Sequence, residues 1–182
     1  MGYRQTTQGA KVQKKCYSAI VLRYATIVFI TFVAMKKNIL HLTVRVYGLL
    51  CNEQSELLIC QEQIQDHTIN KFPGGGLELG ESPPETLLRE MKEETNLICH
   101  IERHIYTTDF YIESIFRPHT QVLCIYYLLA CDDLSPLKLL PHNAKLIPRF
   151  VEINTLNTDF FSFESDRRAF EAFRMLHIPL MQ

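Results

Sequence analysis

Between Gly74 and Leu97 the chain reads GGGLELGESPPETLLREMKEETNL, and no other stretch constrains the fold as tightly. Ser82-Pro83-Pro84-Glu85 places an N-cap serine before a proline at the first helical position and a glutamate at N3, the pattern of a capping box. A helix therefore starts here, directly after a glycine-rich loop, Gly74–Gly80, that lets backbone come close to a ligand. Asn96 marks its end. A left-handed residue is wanted just past a helix, and asparagine accepts that conformation better than any residue except glycine.

The helix carries an electrostatic problem. At about 100° per residue, Glu94 falls about 40° from Glu90 and Glu93 about 60° to its other side, so three carboxylates share one face. Leu88, Met91 and Thr95 fall on another face and are expected to pack on a sheet. Like charges at i,i+4 destabilise a bare helix unless something positive sits among them. A solvated acidic face is the ordinary explanation of such a cluster. The glycine loop, Glu81 and the fixed spacing of Arg89-Glu90 and Glu93-Glu94 point instead to a divalent cation. Mg2+ tolerates a few protein carboxylates together with phosphate oxygens.

The rest of the body reads as strands with one further helix. Leu42, Val44 and Val46 alternate with Thr43, Arg45 and Tyr47, which predicts a half-buried strand ending near Leu50. ELLICQ is expected as its hairpin partner, followed by a polar loop, EQIQDHTINK, and by FPGGG, where proline and glycine argue against regular structure. Leu97–Tyr106 is a further strand. Gln121–Cys131 is apolar on both faces, as a central strand covered on both sides should be. RFVEI is a short strand, and Asp166–Leu176 is a terminal helix capped by Ser165. The expected class is α/β (α+β), with a mixed sheet covered by helices.

Composition narrows the function classes. The chain of 182 residues is 47% apolar with a net charge of −1, which argues against disorder and against stable nucleic-acid binding. Residues 1–37 hold seven basic residues and no acid, which leaves 12 basic against 20 acidic residues in the remainder. The six cysteines show no C-x-x-C pair, and a reduced, cytoplasmic compartment is the expected setting. His100 and His104 have a helical chelate spacing, but their segment alternates with period two. On a strand they would lie about 13 Å apart, too far to share an ion.

Residues 24–35, YATIVFITFVAM, form an apolar run after a basic stretch. Arg23 interrupts any window of the roughly 20 residues a spanning helix needs, so a membrane span is not expected. A secretory signal fits the basic flank, but Phe32-Val33-Ala34 is a poor cleavage site. The adopted reading takes 1–34 as an N-terminal extension, with Met35 as the start of a domain over 35–182; a signal or anchor is the alternative.

The segment also resembles the Nudix hydrolase signature, G-x5-E-x7-R-E-U-x-E-E-x-G-U with U a bulky aliphatic residue. Gly75, Glu81, Arg89, Glu90, Met91, Glu93, Glu94 and Leu97 match it, and Asn96 replaces the usual glycine. The resemblance covers 23 residues and implies a Nudix-like α/β/α sandwich. It implies hydrolysis of a nucleoside diphosphate linked to another moiety by water attack on phosphorus. Mg2+, with Mn2+ as a substitute, would be held by Glu90 and Glu94, with Glu93 assisting and the Gly75 carbonyl contributing. Glu90 would act as general base, although Asp109, Glu113 or Glu164 on later segments could take that role. Arg89 and Glu81 would orient the ligands. The implied partner is a small nucleoside diphosphate derivative, and a homodimer is compatible with it. Arg45 and Arg117 are candidates to meet phosphate, and Phe110, Tyr111, Tyr126 and Tyr127 to stack on a base, although strand aromatics are more often core. A catalytically silent nucleotide sensor and a membrane-tethered interaction protein are the rival readings.

Overall fold

Two adjacent strands, paired in parallel, organise the described residues, and the second half of the first is buried on both faces. The computed structural model describes residues 38–64, 66–139 and 146–177. The apolar run at Tyr24–Met35, and with it the reading of the N-terminal extension, lies outside these residues. Strands β1 (His41–Leu50) and β7 (Thr120–Ala130) pair in parallel along their whole length, His41 opposite Thr120 and Leu50 opposite Leu129. Antiparallel neighbours flank them: β4 (Gly74–Gly76) beside β1, and β5 (His100–Thr107) and the short β6 (Ile112–Glu113) beside β7. A second sheet, wholly antiparallel, has the order β3 (His67–Lys71), β2 (Glu56–Ile64), β8 (Leu146–Glu152).

Helices cover the two faces of the first sheet. Helix α1 (Pro83–Thr95) buries Leu87 and Met91 against Val46, Leu50 and Leu129. Helix α2 (Glu164–His177) buries Ala169, Phe170 and Phe173 with Tyr47, Leu49, Cys124, Tyr126 and Leu128. Successive residues of β1 and β7 thus enter opposite cores, as the period of two requires of a strand covered on both sides. The mixed sheet between helices is the expected architecture. The second sheet adds Leu57 and Ile59 to one core and Leu58 to the other.

Four local expectations are corrected. ELLICQ follows β1 closely, yet it pairs with β3 and β8; only the Cys51–Leu57 bridge joins it to the end of β1. Asn52 braces the turn between β1 and β2. Its side-chain oxygen accepts from the Gln54 and Glu56 backbone N–H groups, and Ser55 takes a left-handed φ of 60°. The polar stretch after it is a hairpin of β2 and β3, whose exposed positions made it look like loop. Gly74–Gly76 is a strand edge, because pairing with Arg45–Tyr47 satisfies backbone that side chains cannot support. Helix α2 begins at Glu164, so Ser165 is buried within its first turn and is not its cap.

On α1 the buried face turns further than the wheel suggested. Thr86, Leu87, Met91 and Thr95 are buried, while Leu88 is only half-buried. No helix among the described residues is long and apolar enough to cross a membrane.

Candidate active site

The start and end of α1 are built as its residues dictate. The Ser82 hydroxyl accepts from the Glu85 N–H, and the Glu85 carboxylate accepts from the Ser82 N–H at 2.8 Å, so both arms of the capping box are present. Asn96 adopts φ 64°, ψ 5° and donates its N–H to the Lys92 carbonyl. The replacement of glycine therefore keeps the left-handed exit.

The glycine strand runs directly against the carboxylates. A side chain at Gly75 would collide with the Glu90 carboxylate, and Gly74, at φ +135°, would drive one into the Val46 carbonyl. Only glycine leaves room for Glu90 to lie on this backbone. The Gly74 N–H donates to Glu94 Oε2 at 2.8 Å, which ties the other inward carboxylate to the same strand.

Arg89 is the hub. Its Nε donates to Glu81 Oε1 at 2.7 Å and its second terminal nitrogen to Glu81 Oε2 at 3.2 Å, a bidentate fork. It also donates to Glu90 Oε1 at 3.0 Å, to the Gly76 carbonyl at 3.2 Å and, more weakly, to Glu93 Oε2 at 3.5 Å. The hydrogen bonds from Arg89 and then from Thr86 hold the Glu81 carboxyl down at about 2. Arg89 thus locks loop, helix and strand together and orients Glu90.

Of the three carboxylates predicted to share a face, two turn inward. The Glu90 and Glu94 side chains are 16% and 15% exposed, whereas Glu93 is 60% exposed at the rim. Burial pushes the Glu94 carboxyl up, the Lys71 ammonium and the Gly74 N–H oppose that, and Glu90 adds to it. Glu90 and Glu94 are thus close enough to repel. Among the described residues no three His, Cys, Asp or Glu groups converge on one point. Each carboxylate here ends on a protein cation or a backbone N–H. The donor set fits Mg2+ by its chemistry: two inward, hard carboxylates beside a glycine backbone that a Cβ would fill.

Lys71 is the contributor that sequence reasoning missed. It is 7% exposed, with its ammonium 3.0 Å from Glu62 and 3.5 Å from Glu94. Burial works against its charge, but Glu94 and Glu62 outweigh that and raise its pKa. The signal was present: if HTINK is a strand, Lys71 shares the inward face of Ile69, and a lysine there needs acidic partners.

The remaining candidates separate. Arg45 lies opposite Gly76 in the β1–β4 pair and donates to the Tyr47 hydroxyl at 2.6 Å, close enough to Glu90 to feel its charge. Arg117 sits in the exposed turn before β7, and among the described residues no ion pair joins it to the carboxylates. Asp109 accepts from Tyr106, Glu113 from Tyr111, and Glu164 pairs with Arg168. Tyr126 is fully buried in a stack with Tyr47, the ordinary role of a strand aromatic, whereas Phe110 lies under Arg168 and Tyr111 is exposed. His100 and His104 are exposed on β5, and His104 contacts Thr107 and Tyr127.

Residues 41–172 match the family model of the NUDIX domain. The 8-oxo-dGTP diphosphatase of Escherichia coli (strain K12) is 38% identical over 52 residues, 28% of this chain and 40% of that protein. The 8-oxo-dGTP diphosphatase of Proteus vulgaris is 35% identical over 65 residues, 35% of this chain and 55% of that protein. The chain therefore matches about half or less of the length of these relatives. A NUDIX hydrolase from Nitrosomonas europaea shares the fold with a TM-score of 0.61 at 16% identity, covering 77% of this chain and 95% of its own. An ADP-ribose pyrophosphatase from Streptococcus suis 89-1591 gives 0.52 at 15% identity, covering 77% and 92%.

Proposed function

We propose, from the premise that this chain belongs to the NUDIX family, that it hydrolyses a nucleoside diphosphate linked to another moiety by water attack on phosphorus. The observation that carries the reading is the inward pair Glu90 and Glu94, seated on the Gly74–Gly76 backbone and oriented by the Arg89 fork.

Glu90, Glu94 and the rim residue Glu93, with the Gly75 backbone, are the residues that would hold Mg2+, for which Mn2+ is a substitute. When bound, the ion neutralises phosphate charge and polarises the attacking water. The protein's own part is placement. Arg89 holds Glu90 in one orientation, so that its free oxygen can take the proton of the water. Glu81 holds Arg89, and Lys71 with the Gly74 N–H holds Glu94. The side-chain-free glycine strand lets a diphosphate approach the carboxylates. Arg45, opposite Gly76, is the better placed of the two arginines to meet a phosphate.

The small-molecule substrate is sought among oxidised nucleoside triphosphates, as the curated relatives' names suggest, nucleotide sugars and ADP-ribose. The test is a pyrophosphatase assay over that panel with Mg2+, repeated after chelation. Hydrolysis that disappears with the metal supports the proposal. Binding of a nucleotide with no turnover on any member would show a sensor and not an enzyme.

A further inference from the structure

Strands β5 and β7 run antiparallel with His100 opposite Ala130. The ladder ends there, and continuing its register by one step sets Cys99 opposite Cys131. Cys131 is the neighbouring group whose charge acts on the Cys99 thiol. The Cys131 thiol also donates to the carbonyls of Ile98 at 3.3 Å and Asp133 at 3.2 Å, which holds it beside the residue that precedes Cys99. Facing residues of an antiparallel pair have Cα atoms about 4.5–5.5 Å apart. That falls within the roughly 4.4–6.8 Å that a disulfide spans. Both cysteines are half-buried and reachable, whereas Cys60 and Cys124 are buried and Cys51 donates to the Asn52 carbonyl at the end of β1.

We infer that Cys99 and Cys131 form a reversible dithiol–disulfide site that is oxidised by a small disulfide such as glutathione disulfide. Among the described residues no third His, Cys, Asp or Glu completes a metal site with them, which favours a disulfide over a bound soft metal. In the first exchange the Cys131 sulfur loses its proton, attacks the oxidant, expels one glutathione thiolate and is left as a mixed disulfide. In the second, Cys99 loses its proton, attacks the Cys131 sulfur, closes the intrachain bond and expels the other glutathione. Two protein S–H bonds and the oxidant's S–S bond break, and one protein S–S bond and two glutathione thiols form. Burial pushes the Cys99 thiol up to about 12, with the neighbouring Cys131 adding to it. Capping Cys131 removes that second contribution, while burial continues to hold the Cys99 thiol up.

The bond would fasten the exit of α1 to the end of β7. Cys99 lies three residues after Asn96, and Leu97 between them is fully buried. Its formation does not touch the carboxylate face, so it is tested without reference to turnover. Full-length protein is equilibrated in buffers of rising glutathione disulfide, quenched by alkylation and mapped by mass spectrometry. The expected product is a chain lighter by two hydrogens, linked through Cys99 and Cys131 and restored by dithiothreitol, with Cys16, Cys51, Cys60 and Cys124 still alkylated. Cys131→Ser is expected to abolish this product. Differential alkylation of the unaltered chain gives a readout that needs no variant: Cys99 and Cys131 lose reactivity together. Separate glutathione adducts on both cysteines, a bond to any other cysteine, a link between two chains, or no oxidation would each overturn the inference.

Discussion

Helix α1 turns Glu94 inward between the Lys71 ammonium and the Gly74 N–H, whereas helix α2 buries Asp166 completely with one tyrosine hydroxyl. Tyr126 donates to Asp166 Oδ1 at 2.8 Å, and among the described residues Oδ2 has no hydrogen-bond partner. Burial pushes both carboxyls up, and it takes Asp166 to about 7 against the weaker help of Tyr126 and the more distant Lys71 and Arg45. The contrast shows that depth does not decide what a buried acid can do. A carboxylate with a cation and an N–H beside it has its charged form supported against burial and can bind something positive. One with only a hydroxyl is held near neutrality and serves packing.

The largest expected effect falls on α1. Glu94→Gln should lower turnover by orders of magnitude in Mg2+-dependent kinetics, with an unchanged circular dichroism spectrum. Full activity in that variant would make Glu94 as structural as Asp166 and dissolve the contrast.

Lys71→Met strikes the cation that separates the two environments. It leaves Glu94 facing Glu90 without a counter-charge, and should cost roughly 3 kcal/mol in urea unfolding, toward the low end for breaking a buried pair because Glu62 keeps contact with solvent. A loss under a few tenths would show that Gly74 alone holds Glu94.

Asp166→Asn sharpens the comparison through pH. An unfolded aspartate titrates near pH 4 and the folded one near 7, so between these values unfolding releases a proton. The contribution of Asp166 to stability is therefore full below the unfolded value and is lost as pH rises through about 7. Asparagine removes this dependence. The stability of the natural chain relative to the variant should fall by on the order of 3 kcal/mol between pH 4 and 8, read from denaturation midpoints. A flat difference would mean that Asp166 ionises freely where it lies. The smallest effect is expected at the helix exit: Asn96→Gly, at φ 64°, should raise stability by no more than about 1 kcal/mol and leave turnover alone.

The site was far more legible than the strands around it, for a physical reason. Ser82 meets Glu85 three residues away, Arg89 meets Glu90 next to it and Glu81 one loop back, and Asn96 bonds to Lys92 one turn earlier. Such contacts follow from helical geometry that spacing alone encodes. The hairpin of β2 and β3, the strand at Gly74–Gly76 and the allegiance of ELLICQ depend on partners far away or on an edge position. Their own periodicity is weak or misleading. Leu88 and Ser165 were misplaced because each depends on how a helix is rotated or started against its neighbours.

By itself, then, the order of residues determined a glycine approach, a capped helix, three acids on one face and a left-handed stop, all set by steric and hydrogen-bonding rules that act within a turn or two. Only the tertiary structure decided that Lys71 would be buried against Glu94, that Arg45 would lie opposite Gly76 and Arg117 would not, and that Asp166 would lose its solvent. Those outcomes come from desolvation and from charges that different strands and helices bring together, which no local spacing carries.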